Sequence, residues 1–232
     1  MGKFQIRTDL ALEAKESCEA KDGQLRGVRV TEQEDTEREI YTTTVVIETE
    51  NGARVMGKPV GTYITIEAPN MSSPDEDYHA EISEALAVHI RALMRTSDDK
   101  RKSVLVVGLG NREVTPDALG PEVVGNLRIT RHMIQVYGRV SAELQQAAEV
   151  SALVPGVMAQ TGMETLEIIR GIVEQTCPDV IVVVDALAAR NTKRLNRTIQ
   201  ISDAGIHPGS GVGNHRQALT KETLGVPVIA IG

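Results

Sequence analysis

Aromatic residues are nearly missing from this sequence of 232 residues, which has no Trp, one Phe and four Tyr. This scarcity argues against a surface that binds single-stranded nucleic acid by stacking bases on aromatic rings. The net charge is −7, and Lys and Arg form only short runs, so binding to a phosphate backbone has little electrostatic support. We therefore expect no direct nucleic-acid partner.

Cysteine is equally scarce, and long apolar runs are missing. Cys18 and Cys177 show neither CxxC nor CxxH spacing, which gives no sign of a disulfide framework or a zinc site. The longest apolar runs, such as residues 180–184, fall far short of the roughly 20 residues that span a bilayer. The first residues also contain no signal-peptide core. We expect a cytoplasmic protein with no membrane partner and no cofactor.

The N-terminal third has the pattern of an antiparallel β-structure. Strands are predicted at 27–31, 40–49, 53–56 and 62–67, with Asn51-Gly52 as a hairpin turn. The charged run 31–39 is expected to be a solvated loop or sheet edge. Residues 1–75 are therefore predicted to form an N-terminal β-rich extension.

The remaining residues, 76–232, alternate strands with helices. Amphipathic or capped patterns predict helices at 76–95, 122–133 and 164–176, the last opened by a capping box of Thr161 and Glu164. Short apolar runs predict strands at 104–107, 150–154, 180–184, 198–201 and 226–231. This alternation indicates an α/β domain with a mostly parallel sheet flanked by helices.

Two aspartates follow buried strands of this predicted sheet. Asp185 comes directly after strand 180–184, and Asp117 lies in the loop after strand 104–107. Ligands of α/β proteins bind beyond the carboxyl ends of the strands, and two carboxylates in one cleft can share a proton and act as acid and base. The alternative is structural: Asp117 would cap the next helix, and Asp185 would cap a turn or pair with Arg190.

The loop 202–215 is rich in glycine and contains two histidines. Gly209, Gly211 and Gly213 would let backbone N–H groups approach a substrate, as a site that stabilises an oxyanion requires. His207 and His215 are candidates to add a metal ligand to the carboxylates. A loop histidine is more often solvated than metal-bound, so we predict no metal site. No serine or cysteine has the surroundings of a catalytic nucleophile.

Several ordered motifs closely resemble the germination proteases of endospore-forming bacteria. They are RTDLA (7–11), GLGN (108–111), VTPDALGP (114–121), VPGVM (154–158), DALAAR (185–190) and the loop 199–214. They occur in the family's order across nearly the whole chain. The resemblance implies an atypical acid-type endopeptidase with Asp117 and Asp185 as its catalytic pair.

The resemblance also implies a fold similar to that of hydrogenase-maturation proteases. The implied substrates are the small acid-soluble proteins that coat spore DNA, and the implied location is the forespore or spore core. We further expect a homo-oligomer, although the number of subunits cannot be read from the sequence. Two departures stand out: the leader before Arg7 is short, and the chain ends at 226–232, where the family continues.

Residues 8–13 look like a cleavage site of this family, whose substrates are cut after an acidic and before an apolar residue. We therefore expect a zymogen that cleaves itself between Asp9 and Leu10, slowly, because Asp replaces Glu, and that does so as the sporulating cell acidifies. The alternative is that Asp9 caps a helix at 10–20.

Two other functions stay open. Related folds include metal-binding maturation peptidases, in which carboxylates and a histidine hold a metal. An inactive structural homologue is the second alternative, against which the presence of both Asp117 and Asp185 argues.

Overall fold

The computed structural model describes residues 8–19, 26–94, 102–208 and 217–232. Its helices are α1 (Ala11–Glu19), α2 (Glu50–Met56), α3 (Glu76–Leu93), α4 (Leu119–Gly125), α5 (Arg131–Tyr137), α6 (Ala142–Gln146), α7 (Met158–Thr161), α8 (Thr165–Thr176) and α9 (Lys221–Leu224). Its strands are β1 (Val28–Asp35), β2 (Ile40–Ile47), β3 (Gly61–Glu67), β4 (Ser103–Gly108), β5 (Glu149–Leu153), β6 (Val180–Val184), β7 (Thr198–Ser202) and β8 (Val228–Ile231). Short 3-10 helices lie at Thr115–Asp117 and Thr192–Arg194. The architecture is α/β, as predicted.

The described residues form two compact units. The first, which we call the antiparallel unit, contains residues 8–19, 26–93 and 187–204. Its strands pair in the order β1-β2-β3-β7, each antiparallel to its neighbour. Its core packs β2 and β3 against α1 and α2 through buried Val45, Ile47, Met56, Tyr63 and Ala11.

The second, the parallel unit, contains residue 94 and residues 102–186, 205–208 and 217–232. Its strands pair in the order β8-β6-β4-β5, and all three pairings are parallel. All five residues of β6 are buried. Because successive side chains of a strand point to opposite faces, both faces of β6 are covered.

The strand predicted at 198–201 exists as β7, but its predicted place in the parallel sheet is wrong. It pairs antiparallel with β3, with Ile64 opposite Ile201 and Ile66 opposite Ile199. A run of β-branched residues shows that a strand forms and carries no information on the direction of its partner. The predicted boundary between 75 and 76 stays a prediction.

The hairpin predicted at Asn51-Gly52 is wrong, because these residues lie inside α2. The side chain of Thr49 accepts a hydrogen bond from the Gly52 N–H and caps the helix. A Cβ at Gly52 would stand 2.6 Å from the carbonyl oxygen of Gly27, so close backbone packing explains the glycine. The strand predicted at 53–56 is accordingly helical.

The helix predicted at 122–133 is two helices, α4 and α5, separated by residues 126–130. Thr130 causes the break by bonding to a distant strand. Its hydroxyl donates to the Ala148 carbonyl at 2.6 Å and accepts from the Val150 N–H at 2.9 Å. The backbone N–H of Thr130 also donates to the Val150 carbonyl. These bonds replace the helical partners that the local pattern predicts.

The other helices follow the pattern more closely. Helix α3 covers nearly all of the predicted 76–95, and α8 agrees with 164–176. The predicted capping box is displaced: Thr161 ends α7, and α8 is capped where the Glu167 carboxylate accepts from the Glu164 N–H. Among the residues that the structure describes, no helix is long and apolar enough to cross a bilayer.

Candidate active site

Asp185 follows β6 at the carboxyl end of the parallel sheet. Its backbone N–H donates to the Ile231 carbonyl on neighbouring β8 at 3.0 Å, so the sheet holds the residue in place. Its side chain is buried, with 8% exposure, and one carboxylate oxygen accepts from the Ala186 N–H at 3.0 Å. A carboxyl group in this position is shielded from solvent at the edge where α/β proteins bind ligands.

Asp117 is held by the loop that follows β4. It ends the 3-10 helix Thr115–Asp117, and the Asn111 N–H donates both to its carboxylate at 2.9 Å and to its carbonyl at 3.0 Å. Gly110 beneath it has φ +109, and a Cβ there would strike the Asp117 carbonyl. The proposed role of Asp117 as a helix cap is not observed, because α4 is capped by Ala118 without a side-chain bond.

Close backbone packing connects the two segments that carry these aspartates. The Leu109 N–H, just after β4, donates to the Val184 carbonyl at the end of β6 at 2.8 Å. Gly120, three residues after Asp117, lies against both: a Cβ on it would stand 2.5 Å from the Leu109 nitrogen and 2.6 Å from the Val184 oxygen. Asp117 and Asp185 therefore lie on segments that are in contact at the ends of neighbouring strands.

The third predicted part of the site is only partly described. His207 is exposed next to the two-residue bridge between Ile206 and Leu219. His215 and the predicted oxyanion residues Gly209, Gly211 and Gly213 lie outside the described residues, so their roles stay predictions. Within the ranges that the structure describes, no cluster of three or more His, Cys, Asp or Glu residues is placed to hold a metal ion.

The predicted self-cleavage site lies in the antiparallel unit, where several hydrogen bonds hold it. The backbone N–H of Asp9 donates to the Ala188 carbonyl at 2.8 Å, and its carboxylate accepts from the Ala188 N–H at 2.9 Å. The Gln200 side chain donates to the Asp9 carbonyl at 3.1 Å and accepts from the Ala11 N–H at 2.6 Å. Leu10, between them, is buried. The carbonyl oxygen of the predicted scissile bond therefore already accepts a hydrogen bond, from Gln200.

Glu13 is the last residue of the predicted cleavage-site pattern 8–13, and the sequence gives it no separate role. It is fully buried on α1, and its two carboxylate oxygens accept from the backbone N–H groups of Arg190 and Asn191, both at 2.8 Å. Burial by itself raises the pKa of this carboxyl, but its hydrogen bonds and the guanidinium of Arg194 outweigh burial and lower the pKa. Glu13 thereby anchors the backbone of Arg190 and Asn191, five and six residues after Asp185.

Arg194 completes this anchor. Its guanidinium makes a two-pronged ion pair with Glu16 at 2.7 and 2.9 Å, contacts Glu67 at 2.8 Å and lies 3.6 Å from Glu13. The hydrogen bond from Arg194 lowers the pKa of Glu16. Spacing along the chain gives no sign of this cluster, because its members are up to 181 residues apart, from Glu13 to Arg194.

The fold and the site define a class: an α/β protein with two acidic side chains at the carboxyl ends of neighbouring parallel strands, where α/β enzymes bind their ligands. The family model described as germination protease matches residues 6–232. The chain therefore belongs to the germination protease family, and the resemblance of its motifs is confirmed.

Individual germination proteases are similar over nearly the whole chain. The protein of Caldanaerobacter subterraneus subsp. tengcongensis is 50% identical over 230 residues, which cover 98% of this chain and 68% of that protein. The protein of Clostridium perfringens is 44% identical, with 99% and 69% covered. The protein of Oceanobacillus iheyensis is 46% identical, with 99% and 63% covered. The chain thus spans about two thirds of the length of these relatives.

Proposed function

We propose that this chain is an endopeptidase in which Asp117 and Asp185 activate a water molecule. The observation that carries the proposal is the placement of both residues on contacting segments at the ends of β4 and β6. One carboxylate accepts a proton from the water as its oxygen bonds to the peptide carbonyl carbon. The protonated partner gives its proton to the leaving nitrogen as the C–N bond breaks.

The proposed substrates are the small acid-soluble proteins of spores, which the enzyme degrades in the forespore or spore core during germination. Membership of the germination protease family supports this choice. The absence of long basic runs is consistent with recognition of the protein rather than the DNA that it coats. We further propose that the protein works as a homo-oligomer.

The catalytic roles are tested by incubating the protein with a purified small acid-soluble spore protein and identifying the fragments by mass spectrometry. We expect Asp117→Asn and Asp185→Asn to lower the cleavage rate by at least about 10³-fold, because an amide cannot accept the proton. Glu113→Gln, an exposed change in the loop of Asp117, is the matched control and retains the wild-type rate. Near-normal turnover by either Asn variant would show that the pair is not catalytic.

A chelator distinguishes the metal-binding alternative. We expect full activity after dialysis against a chelator, and we expect His207→Ala to lower the cleavage rate less than either aspartate variant does. A stoichiometric metal that is lost together with activity would favour a maturation-type peptidase. A protein that retains its fold and never cleaves any substrate would favour the structural homologue.

Self-processing between Asp9 and Leu10 is the second part of the proposed function. Its support is the acidic-apolar pair at 9–10 within the pattern of residues 8–13. After incubation at mildly acidic pH, N-terminal sequencing is expected to find a new terminus at Leu10 in the wild type and not in Asp117→Asn. An unchanged terminus in an otherwise active enzyme would disprove it.

A further inference from the structure

Thr8 links the start of α1 to Glu13. The Leu10 N–H donates to the Thr8 hydroxyl oxygen at 3.1 Å, and the hydroxyl donates to the Ala188 carbonyl at 3.4 Å. The same side chain lies beside the Glu13 carboxylate and helps to lower its pKa. The nitrogen of Leu10 and the carboxylate of Glu13 therefore both lie next to the Thr8 side chain.

The positions of these residues on α1 explain why they are close. Because α1 begins at Ala11, Leu10 is the N-cap and Glu13 is the third helical residue. In a capping box, a Glu at this third position reaches back to the backbone N–H of the N-cap residue. In this chain Thr8 occupies the place between them, and Glu13 uses its oxygens for Arg190 and Asn191 as well.

Cleavage between Asp9 and Leu10 would change this arrangement in two ways. Departure of residues 1–9 removes Thr8 and so opens the space between Leu10 and Glu13. It also converts the Leu10 amide into an α-ammonium group with three N–H donors. A positive charge at the first turn of a helix is unfavourable, and burial of an unpaired charge costs more still, so the new group needs an acidic partner.

We propose that the α-ammonium group of Leu10, formed by cleavage, pairs with the buried carboxylate of Glu13 in place of Thr8. The proposal rests on the cleavage site given under the proposed function. Glu13 is buried at the third position of α1, and the Thr8 side chain lies next to both its carboxylate and the Leu10 nitrogen. The other charge facing Glu13, the Arg194 guanidinium, is 3.6 Å away and is already paired with Glu16 and Glu67.

This pairing makes Glu13 a positioning residue for the segment after Asp185. Before cleavage, Asp9 holds Ala188 while Glu13 holds Arg190 and Asn191. After residues 1–9 depart, the bonds to Ala188 are lost, and those from Arg190 and Asn191 remain on a carboxylate that has gained an ionic partner. The backbone of Ala188 thus becomes available while the residues beyond it stay fixed.

The pKa of the Leu10 α-amino group tests the pairing directly. A protein that starts at Leu10 is made by removing an N-terminal fusion with a protease that cuts immediately before Leu10, so the measurement does not depend on self-cleavage. The protein is labelled with ¹³C, and the unmodified α-amino group is titrated by following the Cα signal of Leu10 by NMR. We expect a pKa at least about one unit above the ordinary value of roughly 8. Glu13→Gln should return it to the ordinary value, whereas Glu19→Gln, an exposed change on the same helix, should not.

A second variant guards against misfolding of Glu13→Gln. One Gly added before Leu10 moves the α-amino group out of the space that Thr8 leaves, and its pKa is expected to be ordinary. An ordinary pKa in the protein that starts at Leu10, the same raised pKa in the Gly-extended protein, or failure of the protein starting at Leu10 to fold by circular dichroism would each overturn the proposal. Failure of self-cleavage alone would appear only as the unchanged terminus in the sequencing experiment.

Discussion

The segment of Asp117 and the segment that follows Asp185 are held in opposite ways. In the parallel unit, backbone groups and glycines fix the loop of Asp117: Asn111 donates to it, and Gly110 and Gly120 allow the close approach. In the antiparallel unit, one buried side chain, Glu13, holds the backbone of Arg190 and Asn191. Asp117 is therefore held by its own loop, whereas Arg190 and Asn191 are held by a side chain of α1, which is distant in sequence.

The two anchors therefore differ in whether a change at the start of α1 can alter them. A change in a distant helix does not alter the anchor of Asp117, because its donor, Asn111, and its acceptor, Asp117, both belong to the loop that it fixes. A side-chain anchor changes whenever the helix that carries it changes, and α1 begins one residue after the predicted cleavage site at Leu10. The proposed self-cleavage would thus leave the contacts of the Asp117 loop unchanged and would alter those of the segment after Asp185.

The largest effect is expected from Gly120→Ala, which breaks the backbone anchor. The new Cβ would meet the Leu109 and Val184 backbone, which cannot move without shifting β4 and β6. We expect a loss of about 3 kcal/mol or more in the free energy of unfolding, measured by urea denaturation. Gly171→Ala is the control: Gly171 lies in α8 with no atom near the added Cβ, so stability should rise by about 0.5–1 kcal/mol. Equal effects of the two changes would contradict the close packing at Gly120.

Glu13→Gln breaks the side-chain anchor and is expected to have the second largest effect. The amide keeps the volume but loses the charge that accepts two N–H groups and faces Arg194. We expect a loss of about 2–4 kcal/mol in the same urea experiment. Glu19→Gln, which removes the 3.8 Å ion pair between exposed Glu19 and Lys15, should change stability by less than about 0.5 kcal/mol. A Gln variant as stable as the wild type would show that the anchor contributes nothing to folding.

The pH dependence of stability should distinguish the two anchors with a smaller effect. The pKa values of Glu13 and Glu16 are lowered in the folded protein, so their stabilisation is complete above the ordinary Glu value of 4.5 and is lost as the pH falls below it. Between pH 6 and pH 3 the wild type should therefore lose more stability than Glu13→Gln does. Parallel curves for the two proteins would place the acid sensitivity elsewhere.

The parts of the fold that depend on local pattern were predictable from the sequence. The run 180–184 is apolar at every position, which is the signature of a strand covered on both faces, and β6 has these bounds. The aspartate that follows it was identified for the same reason. Asp117 was identified because it lies in the loop after the apolar strand 104–107, and Gly110 and Gly120 of that loop prove to be packing requirements.

The parts that depend on distant partners were not predictable. Thr130 breaks a helical pattern because of Ala148 and Val150, and Asn51-Gly52 is helical because Thr49 caps it and Gly27 packs on it. Glu13 has the sequence environment of an ordinary acidic residue in a first helical turn. Its burial arises from backbone groups more than 170 residues away.

The contacts of Gln200 would separate hydrolysis at the predicted cleavage site from the release of residues 1–9. Its side-chain amide binds the Asp9 carbonyl and the Ala11 N–H, one on each side of the predicted cleavage site. Hydrolysis of the Asp9–Leu10 bond would break none of these hydrogen bonds, nor those between Asp9 and Ala188. A freshly nicked molecule would run as the shorter chain on a denaturing gel while its native mass stayed that of the intact protein. The severed peptide would act as a bound ligand, so its dissociation would add a second slow step after the cut before the remodelled protein emerges.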